Sequence, residues 1–260
     1  MHVYQDKTSE LSDWIRDEVE LERELTQGDG GQAVGRVQEW LNLHGFGLVV
    51  DQDYGPVTAR QVGRFQDAAG LPVTGDVDTE TFDALVGPMV EVLRQRLDRS
   101  TSLGDAVVEY ARAHLAVHPR ETGGENSGPW VRLYMQGHSG PAFLWCAGFV
   151  TFVLGQAAES LQVDQPVDGS FSCDSLAAQG REAGRFLAGA DAGPDSIPAG
   201  SIFLVRRTAS DWTHTGIVTA ADADGFDTIE GNTNDDGARE GTEVCARRRG
   251  WTAKDFVVID

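Results

Sequence analysis

Long apolar runs are missing from this 260-residue chain. The longest, Ala142 to Gly155, is interrupted by Thr151 and falls short of the roughly 18 to 20 residues that a bilayer-spanning helix needs, so it predicts a buried helix and no membrane insertion. Basic charge is scarce as well: 21 Lys and Arg stand against 41 Asp and Glu, a net −20. Such a chain repels polyphosphate, which argues against DNA, RNA or anionic lipid as partners. The cluster Arg247-Arg248-Arg249 reads as solvated or paired with acidic neighbours. Cysteine occurs only at 146, 173 and 245, too few for a disulfide scaffold or a zinc site built on paired cysteines. Cys173 and Cys245 read as small buried residues. The start, Met1 to Asp6, has neither the basic flank nor the apolar core of a secretory leader, so synthesis in the cytoplasm is the expectation.

The composition present is that of folded protein, with 40% hydrophobic and 24% charged residues, and the length exceeds the roughly 150 residues expected of one domain. Residues 1–27 hold a leading helix over 9–27, with Leu11, Trp14, Leu21 and Leu25 on one stripe and acidic residues on the other faces. From Gly28 a short repeat follows. Val34-Gly35-Arg36-Val37-Gln38 recurs as Val62-Gly63-Arg64-Phe65-Gln66, each block with apolar residues at helical spacing, and a third short helix carries Phe82, Leu85 and Val86. A three-helix domain over 28–86 is implied. A helix from Met89 to Arg99 and the polar stretch Ser100 to Gly104 make 87–104 the joint to a second domain, 105–260. There a helix over Asp105 to Leu115 gives way, beyond Ser196, to alternating β-branched stretches: Ser201–Val205, His214–Thr219, Phe226–Ile229 and Phe256–Ile259. Asp224-Gly225 is a hairpin signal between two of them, so the expected class is α+β with an antiparallel sheet.

The blocks G-x-G-G-x-x-V-x-x-V-Q-x-x-L, D-Y-G-P-x-T-x-x-x-V-x-x-F-Q and G-L-P-V-T-G-x-V-D-x-x-T over about 28–86 resemble the peptidoglycan-binding domain that accompanies many wall hydrolases. In that family the first loop usually reads D-G-x-[FY]-G, and here it is Asp51-Gln52-Asp53-Tyr54-Gly55. The resemblance implies peptidoglycan as partner.

In Leu144-Trp145-Cys146-Ala147-Gly148-Phe149-Val150 the cysteine follows a Gly-Pro loop and opens the apolar helix, where the helix dipole and free N–H groups favour a nucleophilic thiolate. His214 begins a strand far away in sequence, as the base of a cysteine hydrolase does when the sheet packs against the helix. The next strand ends in Ile229-Glu230-Gly231-Asn232, so a carboxylate or an amide can reach the imidazole across the hairpin and fix its orientation.

Together, W-C-A-x-F-V, H-x-G-I-V and I-E-G-N resemble the CHAP family of cysteine- and histidine-dependent amidohydrolases and peptidases over about 105–260, including Glu125 to Val131. The resemblance implies a papain-like fold, with Cys146 as nucleophile, His214 as base, Glu230 as third member and Asn232 as a supporting polar residue. It also implies cleavage of an amide in peptidoglycan, either N-acetylmuramoyl-L-alanine or a peptide bond of stem or cross-bridge, with no cofactor and no metal. Action on the wall would follow export, injection or phage-mediated release, and the residues identify no immunity or secretion partner. Two other readings stand beside it. One is a non-catalytic wall-binding protein with a degenerate hydrolase fold. The other is a metal-dependent amidase built on His114, His118 and His138, although Leu115-Ala116-Val117 lacks the glutamate of H-E-x-x-H and capping before Pro119 explains His118.

Overall fold

The computed structural model describes residues 11–233 and 241–260. The reading of Met1 to Asp6 and the first residues of the leading helix lie outside the described residues. The described residues form two compact units: one comprises Gln95–Pro119 and Ala142–Asp260, the other residues 11–94 together with Arg120–Pro141.

In the N-terminal unit the leading helix α1 covers only Asp13–Val19, shorter than the 9–27 expected. Glu20 is already extended, and Leu25 is buried by pairing its backbone with Val77. Three helices follow, α2 (Gln32–Leu43), α3 (Pro56–Ala69) and α4 (Thr79–Arg94). The last merges what the sequence reads as two helices, carrying Pro88 inside it and burying Phe82, Leu85, Met89 and Leu93 on one face.

The repeat has a physical meaning at its glutamines. The Gln38 amide donates to Asp51 Oδ1, the Asp53 carbonyl and Thr58 Oγ1 at 2.7, 3.1 and 3.1 Å, and its oxygen accepts from the N–H groups of Asp51 and Gln52. Gln66 does the same one loop later, donating to Thr74 Oγ1, the Asp76 carbonyl and Thr81 Oγ1 and accepting from Thr74 and Gly75. Each buried glutamine therefore satisfies the backbone of the loop after its helix and ties it to a threonine of the next helix.

A further short helix, α6 (Pro129–Tyr134), belongs to this unit rather than to the C-terminal domain in which the sequence places it. Trp130 packs edge-on against Trp40, 6.1 Å between centroids. Arg132 donates to Glu18 at 2.6 and 2.9 Å and to Glu39 at 2.6 and 3.2 Å. These three charges lie in distant stretches of sequence, so periodicity along α6 carries no trace of them.

The C-terminal unit sets three helices, α5 (Leu103–Ala116), α7 (Cys146–Leu161) and α8 (Cys173–Glu182), against an antiparallel sheet. Its strands are β1 (Phe186–Leu187), β2 (Ile202–Thr208), β3 (Asp211–Asp222), β4 (Gly225–Thr233), β5 (Glu243–Arg249) and β6 (Lys254–Val257), in the order β1-β6-β2-β3-β4-β5. Register aligns Val257, Ile202, Ile217 and Ile229 in one stripe. Gly180 of α8 closes on Val257, and Phe149 of α7 on Gly231, so the helices cover that stripe. Nearly every residue of α7 is buried, which is why its sequence is apolar all round. Alternate positions Phe203, Phe226 and Phe256 form a second cluster with Ile197 and Val218. Among the described residues no helix is long and apolar enough to cross a membrane.

β5 was not foreseen, because its second half is the arginine run, which shows no apolar alternation. Val244 and Cys245 are its buried residues, and Arg248 pairs with Asp222 and Asp227.

Candidate active site

Cys146 is the first residue of α7, with Trp145 as N-cap making no side-chain cap bond. First-turn N–H groups have no partner within a helix, so the Cys146 sulfur sits where they and the dipole favour negative charge. The residue is only 6% exposed.

His214 lies near the start of β3 and Glu230 in β4, both buried. His214 Nε2 donates to Glu230 Oε2 at 2.8 Å. The other ring nitrogen, Nδ1, is buried without a regular hydrogen bond, and the ring lies near enough to Cys146 for charge on either to shift the other. Two glycines of the motifs make room for this arrangement. A Cβ on Gly216 would stand 2.7 Å from Glu230 Cγ, and one on Gly231 would stand 2.7 Å from Phe149 Cβ and 2.8 Å from the Trp145 ring. The glycines of H-x-G-I-V and I-E-G-N are the clearance for the carboxylate and for the approach of α7.

The Glu230 carboxylate is held from all sides. Its Oε1 accepts from Thr228 Oγ1 at 2.6 Å and Arg249 Nε at 2.8 Å, and its Oε2 accepts from Arg249 Nη2 at 2.5 Å besides His214. Burial alone would favour the neutral acid, but Arg249 first and His214 second outweigh it and hold Glu230 at about 2. Burial likewise disfavours the imidazolium, yet the Cys146 sulfur and then Glu230 push His214 up to about 9.

A second cysteine completes the group. Cys173 opens α8, whose N-cap Ser172 accepts from the Ser175 N–H, and its sulfur lies 4.0 Å from that of Cys146. The N-terminus of α8 is fixed to β3 by Asp174 Oδ1, which accepts from the Trp212 N–H at 2.7 Å. Two thiolates at that separation repel, so the pair carries one charge. The Cys173 thiol bonded to it holds Cys146 well below the ordinary thiol range, against burial and with help from His214, while Cys173 itself is pushed far up.

The structure thus brings Cys146, His214 and Glu230 together. Asn232 is on the same strand as Glu230, but its amide donates to the Gly241 carbonyl at 3.0 Å and its backbone is left-handed at φ 54°. It anchors the chain that returns toward β5. Sequence reasoning missed Arg249, hidden in a charge run, and Cys173. The latter had a signal, since a serine followed at once by a cysteine and an aspartate in Phe171-Ser172-Cys173-Asp174 is a helix start like the one that drew attention to Cys146.

With this geometry in place, comparison with known proteins bears on the other unit. Residues 30–85 match the family model described as a putative peptidoglycan binding domain. The matched stretch holds α2, α3 and the first part of α4, against the 28–86 expected from sequence. The chain is 31% identical to the SleB N-terminal domain over 26% of its own length and 93% of that structure, with a TM-score of 0.25. It is 29% identical to the Burkholderia AP3 phage endolysin over 36% of its length and 33% of that chain, also with a TM-score of 0.25. No curated protein matches the chain.

Outside the matched stretch, His114 and His118 of the metal reading have different partners. His114 is buried against Gln156 Oε1 at 3.0 Å, and burial brings it down to about 4. His118, past the helix end with φ 51°, pairs with Glu243 instead. Among the described residues no group of three or more His, Cys, Asp or Glu could hold a metal ion.

Proposed function

We propose that this protein is a peptidoglycan hydrolase of the CHAP type, with a papain-like C-terminal unit that cleaves an amide bond and an N-terminal unit that holds the wall. The observation that carries the reading is Cys146 at the start of α7 beside a His214 whose far nitrogen is bound by the buried Glu230. Cys146 and His214 rest as thiolate and imidazolium, so no proton need move before attack. The thiolate adds to the amide carbonyl, the N–H groups at the start of α7 stabilise the oxyanion, and the His214 Nδ1 proton passes to the leaving amine. Neutral His214 then takes a proton from water, which releases the acyl-enzyme and restores the pair. Glu230 keeps the ring oriented and stabilises its charged form. The bond is the N-acetylmuramoyl-L-alanine amide or a peptide bond of stem or cross-bridge.

The test is initial rates on soluble muropeptides, with the products assigned by mass spectrometry to name the bond. Cys146→Ala and His214→Ala are expected to be almost dead. Glu230→Gln, which keeps an acceptor without the charge, loses part of the rate. Hydrolysis by Cys146→Ala at the wild-type rate, or loss on chelation with EDTA, would sink the cysteine mechanism. A wild-type protein that binds sacculi and releases nothing would establish the non-catalytic reading.

A further inference from the structure

The mechanism uses one sulfur, yet two converge at the site. Cys146 and Cys173 each occupy the first turn of a helix, both are buried, and their sulfurs are 4.0 Å apart. A disulfide needs about 2.05 Å, so rotation of the two side chains through roughly 2 Å joins them. The helix starts are held in place by packing on β3 and by the Asp174 to Trp212 bond, which keeps the second sulfur beside the first. A small buried hydrophobe has no need of this position. We propose that Cys146 and Cys173 form a reversible disulfide under peroxide, switching the site off and protecting the nucleophile from irreversible oxidation.

The steps balance. The Cys146 thiolate attacks a peroxide oxygen, the O–O bond breaks, and the departing hydroxide takes a proton from the His214 imidazolium to leave as water. Cys146 is then a sulfenic acid. With its negative charge gone, the charge that kept Cys173 protonated is gone too. The Cys173 sulfur attacks that of Cys146, the S–O bond breaks, and hydroxide leaves with the Cys173 proton as a second water. Two thiols lose two electrons and one hydrogen peroxide gains them. Thiol–disulfide exchange with a reductant reverses the change. That the disulfide silences hydrolysis rests on the reading of Cys146 as nucleophile, whereas the disulfide itself does not.

The experiment takes the full-length reduced protein through a hydrogen peroxide titration, alkylates remaining thiols, and maps the peptides by mass spectrometry. In the wild type a Cys146–Cys173 cross-linked peptide is expected, Cys245 alone is alkylated, and hydrolysis of muropeptides falls in step with the cross-link. Dithiothreitol should return both to their starting values. Cys173→Ser, compared with its own untreated rate, should be inactivated by the same treatment without recovery, with Cys146 found as sulfinic acid. Recovery of wild-type Cys146 as sulfinic acid beside an alkylated Cys173 overturns the proposal, as does equal recovery in Cys173→Ser or full hydrolysis by the cross-linked protein. If the reduced protein hydrolyses nothing, the hydrolase reading fails, and the peptide map still decides for or against the disulfide.

Discussion

At the scale of single residues, the proposed chemistry depends on how a buried carboxylate stays charged. Glu230 is inaccessible to water and would be neutral but for Arg249, which grips both its oxygens from the neighbouring strand β5, and His214. The pH dependence follows with its sign. The proposed mechanism needs the Cys146 thiolate, the His214 imidazolium and the Glu230 carboxylate together. The imidazolium is lost as pH rises through about 9, so kcat/KM should fall above that value. Glu230 is held at about 2, below its ordinary 4.5, so it contributes stability that is full above 4.5 and is lost as pH falls toward 2. Arg249→Met removes the larger of the two influences that keep this pKa low. Its acid limb should move upward by about one pH unit or more, equivalent to about 1.4 kcal/mol, with kcat lowered more than KM is raised. An unchanged acid limb in a pH–rate series on muropeptides would show that Arg249 does not act through Glu230. That Cys146, His214 and Glu230 come together was legible because each sits in a local pattern of helix start or strand. Arg249 was not, because its meaning depends on register: Ile229 pairs with Ala246 and Glu230 with Cys245, and a run of three arginines gives no alternation from which to read a strand.

Among the elements, the repeated helices of the N-terminal unit show what a motif can reveal and conceal. The recurrence of Val-Gly-Arg-Val/Phe-Gln was visible in sequence, and the helices fall where its spacing puts them. That the glutamines face inward was not visible, because a polar residue on a helix is ordinarily solvated; their partners lie 13 to 20 residues away for Gln38. Gly35 and Gly63 stand in equivalent places one turn earlier, where a Cβ would lie 3.1 Å from the Gln52 side chain and 3.4 Å from that of Val73. Gln52 occupies the position where the resembling family has glycine, and its φ is 63°, a conformation that costs a non-glycine residue roughly 1 kcal/mol. The Gln38 bonds offset that cost by fixing the loop. Gln66→Leu preserves volume and helix propensity but removes the acceptor shared by the Thr74 and Gly75 N–H groups and the donor to the Thr74 and Thr81 hydroxyls and the Asp76 carbonyl. A loss of about 3 kcal/mol is expected. It should appear as a lowered thermal midpoint and weaker sedimentation with insoluble peptidoglycan, and a variant that melts like wild type would show that water replaces the glutamine.

Across the whole molecule, the chain does not divide in sequence order. Arg120–Pro141 leaves the C-terminal unit and joins the helices of the first 94 residues, so a cut in the polar stretch at 100–104 removes α6 from the unit it completes. The sequence places that segment with the cysteine because a linear reading assigns a stretch to its nearest neighbours, and only packing shows otherwise. One tie is electrostatic: Arg132 stands between Glu18, 1% exposed, and Glu39, 8% exposed. Removing the shared cation leaves two buried carboxylates, of which Glu18 keeps only Arg36 at 3.4 Å. Breaking a buried pair by deleting one partner costs roughly 3 to 5 kcal/mol, whereas replacing all the charges together often costs little. Arg132→Met in the full chain should therefore lower the melting transition of the N-terminal unit and weaken sedimentation with peptidoglycan, while the rate of Cys146 alkylation stays as in wild type. Adding Glu18→Gln and Glu39→Gln to Arg132→Met should recover most of the lost stability, because no uncompensated charge remains. If the triple variant is no more stable than Arg132→Met alone, the contribution of Arg132 is packing of its stem rather than neutralisation of the two glutamates.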